Sequence, residues 1–129
     1  MLGRFQQSHL RIEINASEET LSRCLLKPAT FSQWLWPQQF SPDLPETLTA
    51  GVMFTDWLGP VAVQHRVEAA QTGRLLLTLW QGIDGFHEWR WGEGWVQSRL
   101  EGISLLPLNL GQTLSLARLR QYLATQAQS

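Results

Sequence analysis

The stretch GFHEWRWGEGWVQSRLEGIS, residues 85–104, decides the fold of this chain. Residues 85–91 and 95–104 each alternate between mostly apolar and mostly charged or polar side chains. A period of two with one polar side is typical of antiparallel strands that have one face in water. The glycine-rich segment 92–94 lies between them and is suited to a tight turn. The stretch therefore predicts a β-hairpin at the centre of an antiparallel sheet.

The length of that turn determines which side chains share a face of the hairpin. Residues directly opposite one another point to the same side, so a two-residue turn pairs Trp91 with Val96 and Trp89 with Ser98. A three-residue loop without a bulge would pair Trp91 with Trp95 and reverse the match. We favour the two-residue turn, which gives the sheet an inner face made of His87, Trp89, Trp91, Val96, Ser98 and Leu100.

Further strand-like segments precede the hairpin. They cover residues 8–15, 47–55, 61–70 and 74–81, and the last three are separated by short turn-forming connectors. Connectors of this kind produce a meander of neighbouring antiparallel strands. In 61–70 the apolar face carries one histidine, His65. The opposite faces predict cross-strand ion pairs on an outer surface, among Arg11, Glu13, Arg66, Glu68, Glu88, Arg90, Arg99 and Glu101.

Helical patterns flank the strands. Ser17 is a suitable N-cap followed by two glutamates, and the apolar spacing continues to Pro28, which ends this helix or starts a second short one. Residues 37–45 contain three prolines and predict a surface loop. After Ile103 a broad apolar stripe that includes Leu110 and Leu114 predicts one long helix.

This order predicts an α+β fold in which a curved antiparallel sheet of about six strands grips a long C-terminal helix, with two short helices after the first strand. We expect one domain over residues 1–129, with 1–6 poorly ordered and a frayed tail at 125–129.

Composition excludes several classes of function. A formal net charge of -1 gives no excess of positive charge for nucleic acid or an anionic membrane. Cys24 is the single cysteine, so an intrachain disulfide is impossible, and we expect a small buried hydrophobe in a cytoplasmic protein. No apolar run approaches the roughly 20 residues of a membrane span. We expect no cofactor, and nothing in the pattern sets the oligomeric state.

The candidates for chemistry are His65, His87 and Ser98. A histidine in an apolar pocket is neutral and able to accept a proton near neutral pH, with Ser98 orienting a substrate. We expect no metal site, because one strand separates the histidines by about 10 Å and no further ligand is suitably spaced. The segment 92–94 joins two strands, so it does not provide the phosphate-binding turn of a nucleotide site.

The chain resembles the START-related SRPBCC, or helix-grip, superfamily, which includes lipid-transfer and polyketide cyclase/dehydrase-like proteins. The resemblance is carried by the strand 9–14, the segment ASEET at 16–20, the pair Phe31 and Trp34, and the segments QGIDGFHEW (81–89), GWVQSRLEG (94–102) and LRQYL (119–123). It covers nearly the whole chain and implies a cavity between the sheet and the C-terminal helix for lipids, sterols, polyketides or other apolar molecules.

We therefore expect binding or transport of an apolar small molecule. The predicted wall is Trp34, Phe54, Trp89, Trp91, Leu110 and Leu114, and the predicted polar contacts are His65, His87 and Ser98. One alternative is a cyclase-like or hydrolase-like enzyme that uses a pocket histidine. Another is a protein-interaction or chaperone-like module whose seven Trp fill the core, with exposed contacts or a pocket rim at 35–37 and 57–60.

Overall fold

The structure is a computed structural model that describes residues 3–35 and 38–127. A seven-stranded antiparallel sheet runs through it in the order β1-β7-β6-β5-β4-β3-β2. The strands are β1 (Arg4–Glu13), β2 (Gln39–Phe40), β3 (Met53–Leu58), β4 (Val61–Gln71), β5 (Arg74–Gln81), β6 (Ile83–Gly92) and β7 (Trp95–Ser104). The helices are α1 (Glu18–Leu26), α2 (Phe31–Trp34) and α3 (Leu108–Ala127), with a 3₁₀ turn at Pro28–Thr30.

The predicted α+β helix-grip fold is confirmed. The long helix α3 packs on β1 and β7, and the short helix α2 packs against α3. A shared core of buried side chains lies between the sheet and the helices and includes Leu21, Trp34, Val96 and Leu119. No helix within residues 3–35 and 38–127 is long and apolar enough to cross a membrane.

The hairpin register is the one that the two-residue turn predicts. Trp91 lies opposite Val96, and Trp89 lies opposite Ser98. Gly94 adopts a φ of +79°, a left-handed conformation that glycine adopts without steric cost. The inner face of the central strands is consequently apolar apart from a few polar groups.

Two strands differ from the prediction. The third strand begins at Met53 and continues to Leu58, whereas the sequence favoured 47–55. Gly51, with a φ of +94°, forms a turn just before it, and its N–H donates to the carbonyl oxygen of Val67. The predicted loop 37–45 contains β2, which pairs with β3 over only two residues, too short for a periodic pattern.

The first strand and the last helix include described residues near both ends of the chain. Residues 4–6 belong to β1, where Arg4 pairs with Ser104 at the far end of β7. The tail from 125 continues α3 as far as Ala127. Residues 1–2, 36–37 and 128–129, including the predicted contact residues Trp36 and Pro37, lie outside the described residues.

The outer face holds the charges, but its ion pairs run mainly along the strands. Arg99 Nη2 lies 2.7 Å from Glu101 Oε2, two residues away on the same face. The cross-strand exception is Arg74, whose Nε lies 2.8 Å from Glu88 Oε2. The arginine side chain is long enough to reach the next carboxylate of its own strand. The prediction of cross-strand ion pairs did not allow for this reach.

Candidate functional site

A cavity of about 260 Å³ lies between the inner face of the sheet and the helices α2 and α3. Leucine and aromatic side chains form most of its wall, as in many small-molecule sites. On the inside, the Trp34 and Trp89 rings meet edge to face, with their centroids 5.9 Å apart. Tryptophan therefore lines this space without filling it.

The mouth of the cavity is apolar. Leu58, Leu110 and Leu114 line it and are still 42%, 54% and 50% exposed. Leu58 ends β3, while the other two lie one turn apart on α3. Apolar side chains exposed around an opening are typical of a binding surface.

Polar groups enter the cavity at one end of the β3–β4 hairpin. His65 Nε2 lies 2.7 Å from Asp56 Oδ1, and the Asp56 carboxylate also accepts a hydrogen bond from the Gln38 side-chain amide. Register explains this meeting, because Phe54 lies opposite His65 and Asp56 is the next residue on that face. The Phe54 ring stacks on the His65 imidazole at 4.5 Å, with an interplanar angle of 5°.

The second imidazole nitrogen of His65 is left without a protein partner. Nδ1 is buried and makes no hydrogen bond among the described residues. Because Nε2 faces the Asp56 carboxylate, the neutral form of the ring has its proton on Nε2 and a lone pair at Nδ1. A buried nitrogen without a partner is unusual in a folded protein and costs free energy unless a ligand or water meets it.

A second polar chain joins α3 to the sheet through His87. Gln112 Nε2 donates to Ser98 Oγ at 3.0 Å and also lies 3.1 Å from the Ser98 carbonyl oxygen. Ser98 Oγ in turn lies 2.7 Å from His87 Nε2. Since the serine accepts from Gln112, its own proton is available for His87, which assigns the lone pair to Nε2 and the proton to Nδ1 of that histidine.

Burial holds His87 in the neutral form. Desolvation lowers the pKa of His87 to about 3 from an ordinary 6.5, and an electrostatic interaction with His65 makes a smaller contribution in the same direction. The sequence predicted a histidine that is neutral and able to accept a proton near neutral pH; this pKa agrees with the neutral form but not with proton acceptance at that pH. A group with so low a pKa is a poor base at neutral pH.

Most of the predicted site residues meet at this cavity. Those in its wall are Trp34, Phe54, His65, His87, Trp89, Leu110 and Leu114. Trp91 and Ser98 are not in the wall. Trp91 shares the inner face but lies under α1, where its Nε1 donates to Ser22 Oγ at 2.9 Å. Ser98 is fully buried behind His87 and holds the imidazole in place.

Sequence reasoning missed several polar residues of the site, among them Asp56, Gln38 and Gln112. Asp56 fell just outside the predicted strand 47–55, so its place on the inner face was not visible. Gln38 lay in the predicted loop, and Gln112 was one of several polar residues in the predicted helix. A strand boundary extended to Leu58 would have put Asp56 on the same face as Phe54 and His65.

The remaining candidates do not form a second reactive centre. Cys24 is buried, and this burial raises the pKa of its thiol from 9.0 to about 11, which disfavours the reactive thiolate. No group of three or more His, Cys, Asp or Glu able to hold a metal ion occurs within the described ranges.

A wider depression of about 660 Å³ lies between the start of α1 and the end of α3. It is an open surface groove and includes neither cavity histidine.

Comparison with known proteins identifies the fold and no family. No family model matches the sequence, and no curated protein matches it either. Solved structures do match, which agrees with the helix-grip class that the topology defines. A protein from Chromobacterium violaceum is 20% identical, with a TM-score of 0.71 over 89% of this chain and 94% of that one.

Two further structures have more specific descriptions. DynU16, a protein of the dynemicin biosynthetic locus, is 16% identical, with a TM-score of 0.68 over 93% of this chain. This chain spans about half the length of DynU16, 48%. The Aha1 dimer from Colwellia psychrerythraea is 14% identical, with a TM-score of 0.63 over 89% of this chain and 93% of that one. At these identities the likeness concerns the fold alone.

Proposed function

We propose that this chain binds a compact, mostly apolar small molecule in the cavity between the sheet and α3, as a member of the SRPBCC superfamily that its sequence resembles. The observation that carries the proposal is the cavity of about 260 Å³, walled by apolar side chains with a few polar groups. This volume lies just below the about 300–1,000 Å³ that small-molecule pockets usually measure, so the proposal is for a compact ligand.

The apolar mouth supports the same function. Leu58, Leu110 and Leu114 line the cavity, are partly exposed, and would contact an apolar molecule as it enters. The likeness to DynU16, which belongs to a biosynthetic locus, is compatible with a small-molecule ligand and adds support only through the shared fold.

The test begins with native mass spectrometry of the gently purified protein, followed by extraction of any bound molecule. Equilibrium dialysis with 2-methoxynaphthalene then measures saturable binding by a compact apolar probe. A stoichiometric companion or one probe per chain supports the proposal. A bare protein that binds neither the probe nor any component of a lipid extract overturns it and favours a protein-interaction module.

A matched pair of variants tests where the probe enters and binds. Leu114→Glu puts a charge at the mouth, where the leucine is 50% exposed, and should weaken probe binding severalfold. Leu105→Glu adds the same charge at a position that is 77% exposed and outside the cavity wall, and should bind like the wild type. Equal weakening in both variants would contradict entry between Leu58 and α3.

A second candidate function is acid–base catalysis on the bound molecule. The unpartnered Nδ1 of His65, backed by Asp56, favours it because a histidine oriented by a carboxylate is suited to accept a proton. The extracted companion should then change chemically on incubation with the wild type and remain unchanged with His65→Gln. An identical result with both proteins would leave binding as the function.

A further inference from the structure

We propose that the His65–Asp56 pair is the polar anchor of the cavity and that it selects apolar ligands carrying a weakly acidic hydroxyl group, such as a phenol. This inference rests on the proposed binding function and specifies its ligand class. It follows from His65 Nδ1, a buried nitrogen that has no hydrogen-bond partner among the residues the structure describes.

The ring of His65 is fixed from two sides. Its Nε2 is held by Asp56 at 2.7 Å, and its face stacks on Phe54 at 4.5 Å. Asp56 is 3% exposed and receives the Gln38 amide on its other oxygen, so the carboxylate cannot easily turn away. Such supporting contacts are how a polar group is preorganised for a ligand.

The lone pair at His65 Nδ1 requires a hydrogen-bond donor on the ligand. With the proton on Nε2, the neutral ring offers a lone pair at Nδ1, which a hydroxyl can satisfy and an ether or ketone cannot. A hydroxyl that is weakly acidic can go further and transfer its proton. Its O–H bond then breaks, an N–H bond forms at Nδ1, and the electron pair remains on the ligand oxygen.

Neighbouring charges favour that transfer over the binding of a cation. The imidazolium formed at His65 would lie directly against the Asp56 carboxylate, which stabilises it. Arg118 of α3 lines the same cavity and brings a positive charge that favours a ligand oxyanion and disfavours an ammonium group. His87 does not compete for the hydroxyl proton, because its Nε2 lone pair is occupied by Ser98 and its Nδ1 bears a proton.

Three ligands of nearly the same shape test the selection. Equilibrium dialysis compares 2-naphthol, 2-methoxynaphthalene and naphthalene with the wild type. We expect 2-naphthol to bind about tenfold or more tightly than 2-methoxynaphthalene, since a hydrogen bond to a buried, otherwise unpaired group is at stake. The methyl ether keeps the oxygen and removes only the proton.

Two variants then test which residues cause the preference for 2-naphthol. His65→Phe keeps a flat ring against Phe54 and removes Nδ1. Asp56→Asn keeps the size of the side chain and removes the charge that fixes the tautomer. In both variants the preference for 2-naphthol over 2-methoxynaphthalene should be lost, so that the ratio of the two Kd values falls to about one. Circular dichroism verifies that each variant is folded, and the wild-type comparison needs no variant.

Fluorescence supplies a readout that packing alone would not change. Excited 2-naphthol is a strong acid, and its anion emits at longer wavelength than the neutral form. With excitation beyond the Trp absorption, the wild-type complex should emit mainly as the anion, and the His65→Phe complex should emit as neutral 2-naphthol.

The outcomes separate the two proposals. Failure of all three ligands to bind would overturn the cavity function and the anchor together. Equal binding of 2-naphthol and its methyl ether by the wild type would overturn the anchor and leave apolar binding intact. A preference for 2-naphthol that persists in His65→Phe would also overturn the anchor, because the hydroxyl would then be met by another group.

Discussion

Gln112 on α3 donates a hydrogen bond from Nε2 to Oγ of Ser98 on β7, at 3.0 Å, and thereby connects the helix to the inner face of the sheet. The same nitrogen lies 3.1 Å from the carbonyl oxygen of Ser98 and 3.2 Å from that of Ser8 on β1. Gln112 is 2% exposed and Ser98 is fully buried, so water does not compete for these bonds. Another polar contact between α3 and β1, from Asn109 Nδ2 to Ser8 Oγ at 2.8 Å, is exposed to water, which weakens its contribution.

Removing this connection should destabilise the domain. Gln112→Leu leaves two carbonyl oxygens and a serine hydroxyl without their donor, and we expect a loss of about 1–3 kcal/mol in the free energy of unfolding. Urea unfolding followed by Trp fluorescence measures it. Gln121→Leu is the matched control on the same helix, because the Gln121 side chain is exposed, and it should change stability by less than about 0.5 kcal/mol. Equal stability of Gln112→Leu and the wild type would contradict the role given to this contact.

Stability should fall in mild acid because of His87. Its pKa is lowered to about 3 from an ordinary 6.5, so the unfolded chain binds a proton at this position before the folded chain does. As pH falls from about 6.5 to 5, above the usual carboxyl range, the free energy of unfolding should decrease by up to about 1.4 kcal/mol per unit. His87→Gln should remove most of this slope while keeping an acceptor for Ser98.

The control for that slope is His9→Gln, at an exposed histidine on β1. The free energy of unfolding of His9→Gln should depend on pH as that of the wild type does. If the wild-type stability were constant over this range, or if the His9 variant lost the slope instead, the assignment to His87 would be wrong.

Close approach of β6 and β7 makes Gly85 irreplaceable. A Cβ at Gly85 would lie 1.9 Å from the Glu101 carbonyl oxygen and 2.5 Å from the Cα of Gly102, its cross-strand partner. Gly85→Ala must therefore displace backbone, and we expect a loss of more than about 2 kcal/mol. Gly111→Ala is the opposite case, because its Cβ meets nothing within 4 Å and glycine is unfavourable inside a helix. It should raise stability by about 0.5–1 kcal/mol. Thermal unfolding of both variants tests this pair, and a loss in Gly111→Ala would contradict it.

Cys24 should be chemically inert while the protein is folded. Burial against the core raises the pKa of its thiol to about 11, so little thiolate exists near neutral pH. Reaction with a chromogenic disulfide reagent should be slow in buffer and fast in denaturant, where the side chain is exposed. Rapid stoichiometric labelling of the folded protein would instead indicate an accessible, reactive thiol.

The sequence predicted the sheet because the signals that indicate strands and turns lie within short segments of the chain. The alternation in 85–91 and 95–104 and the turn at 92–94 were enough for the hairpin register, which the structure confirms. Ser17 likewise predicted where α1 begins. The apolar stripe predicted for α3 is right only in part, because Leu119 is buried whereas Leu110 and Leu114 are 54% and 50% exposed. What the pattern lacked was β2, because two residues that pair with β3 leave no period to detect.

For the site, the sequence by itself determined which side chains share the inner face, since side-chain direction alternates along a strand. His65, His87, Trp89 and Phe54 follow from that rule. Only the tertiary structure decided how the two histidines differ. Asp56 reaches His65 through the register of β3 on β4, whereas Gln112 reaches Ser98, and through it His87, because α3 packs across the sheet. Both contacts join residues distant in the chain, and local patterns carry no information about which distant residues will supply the partners of a buried polar atom.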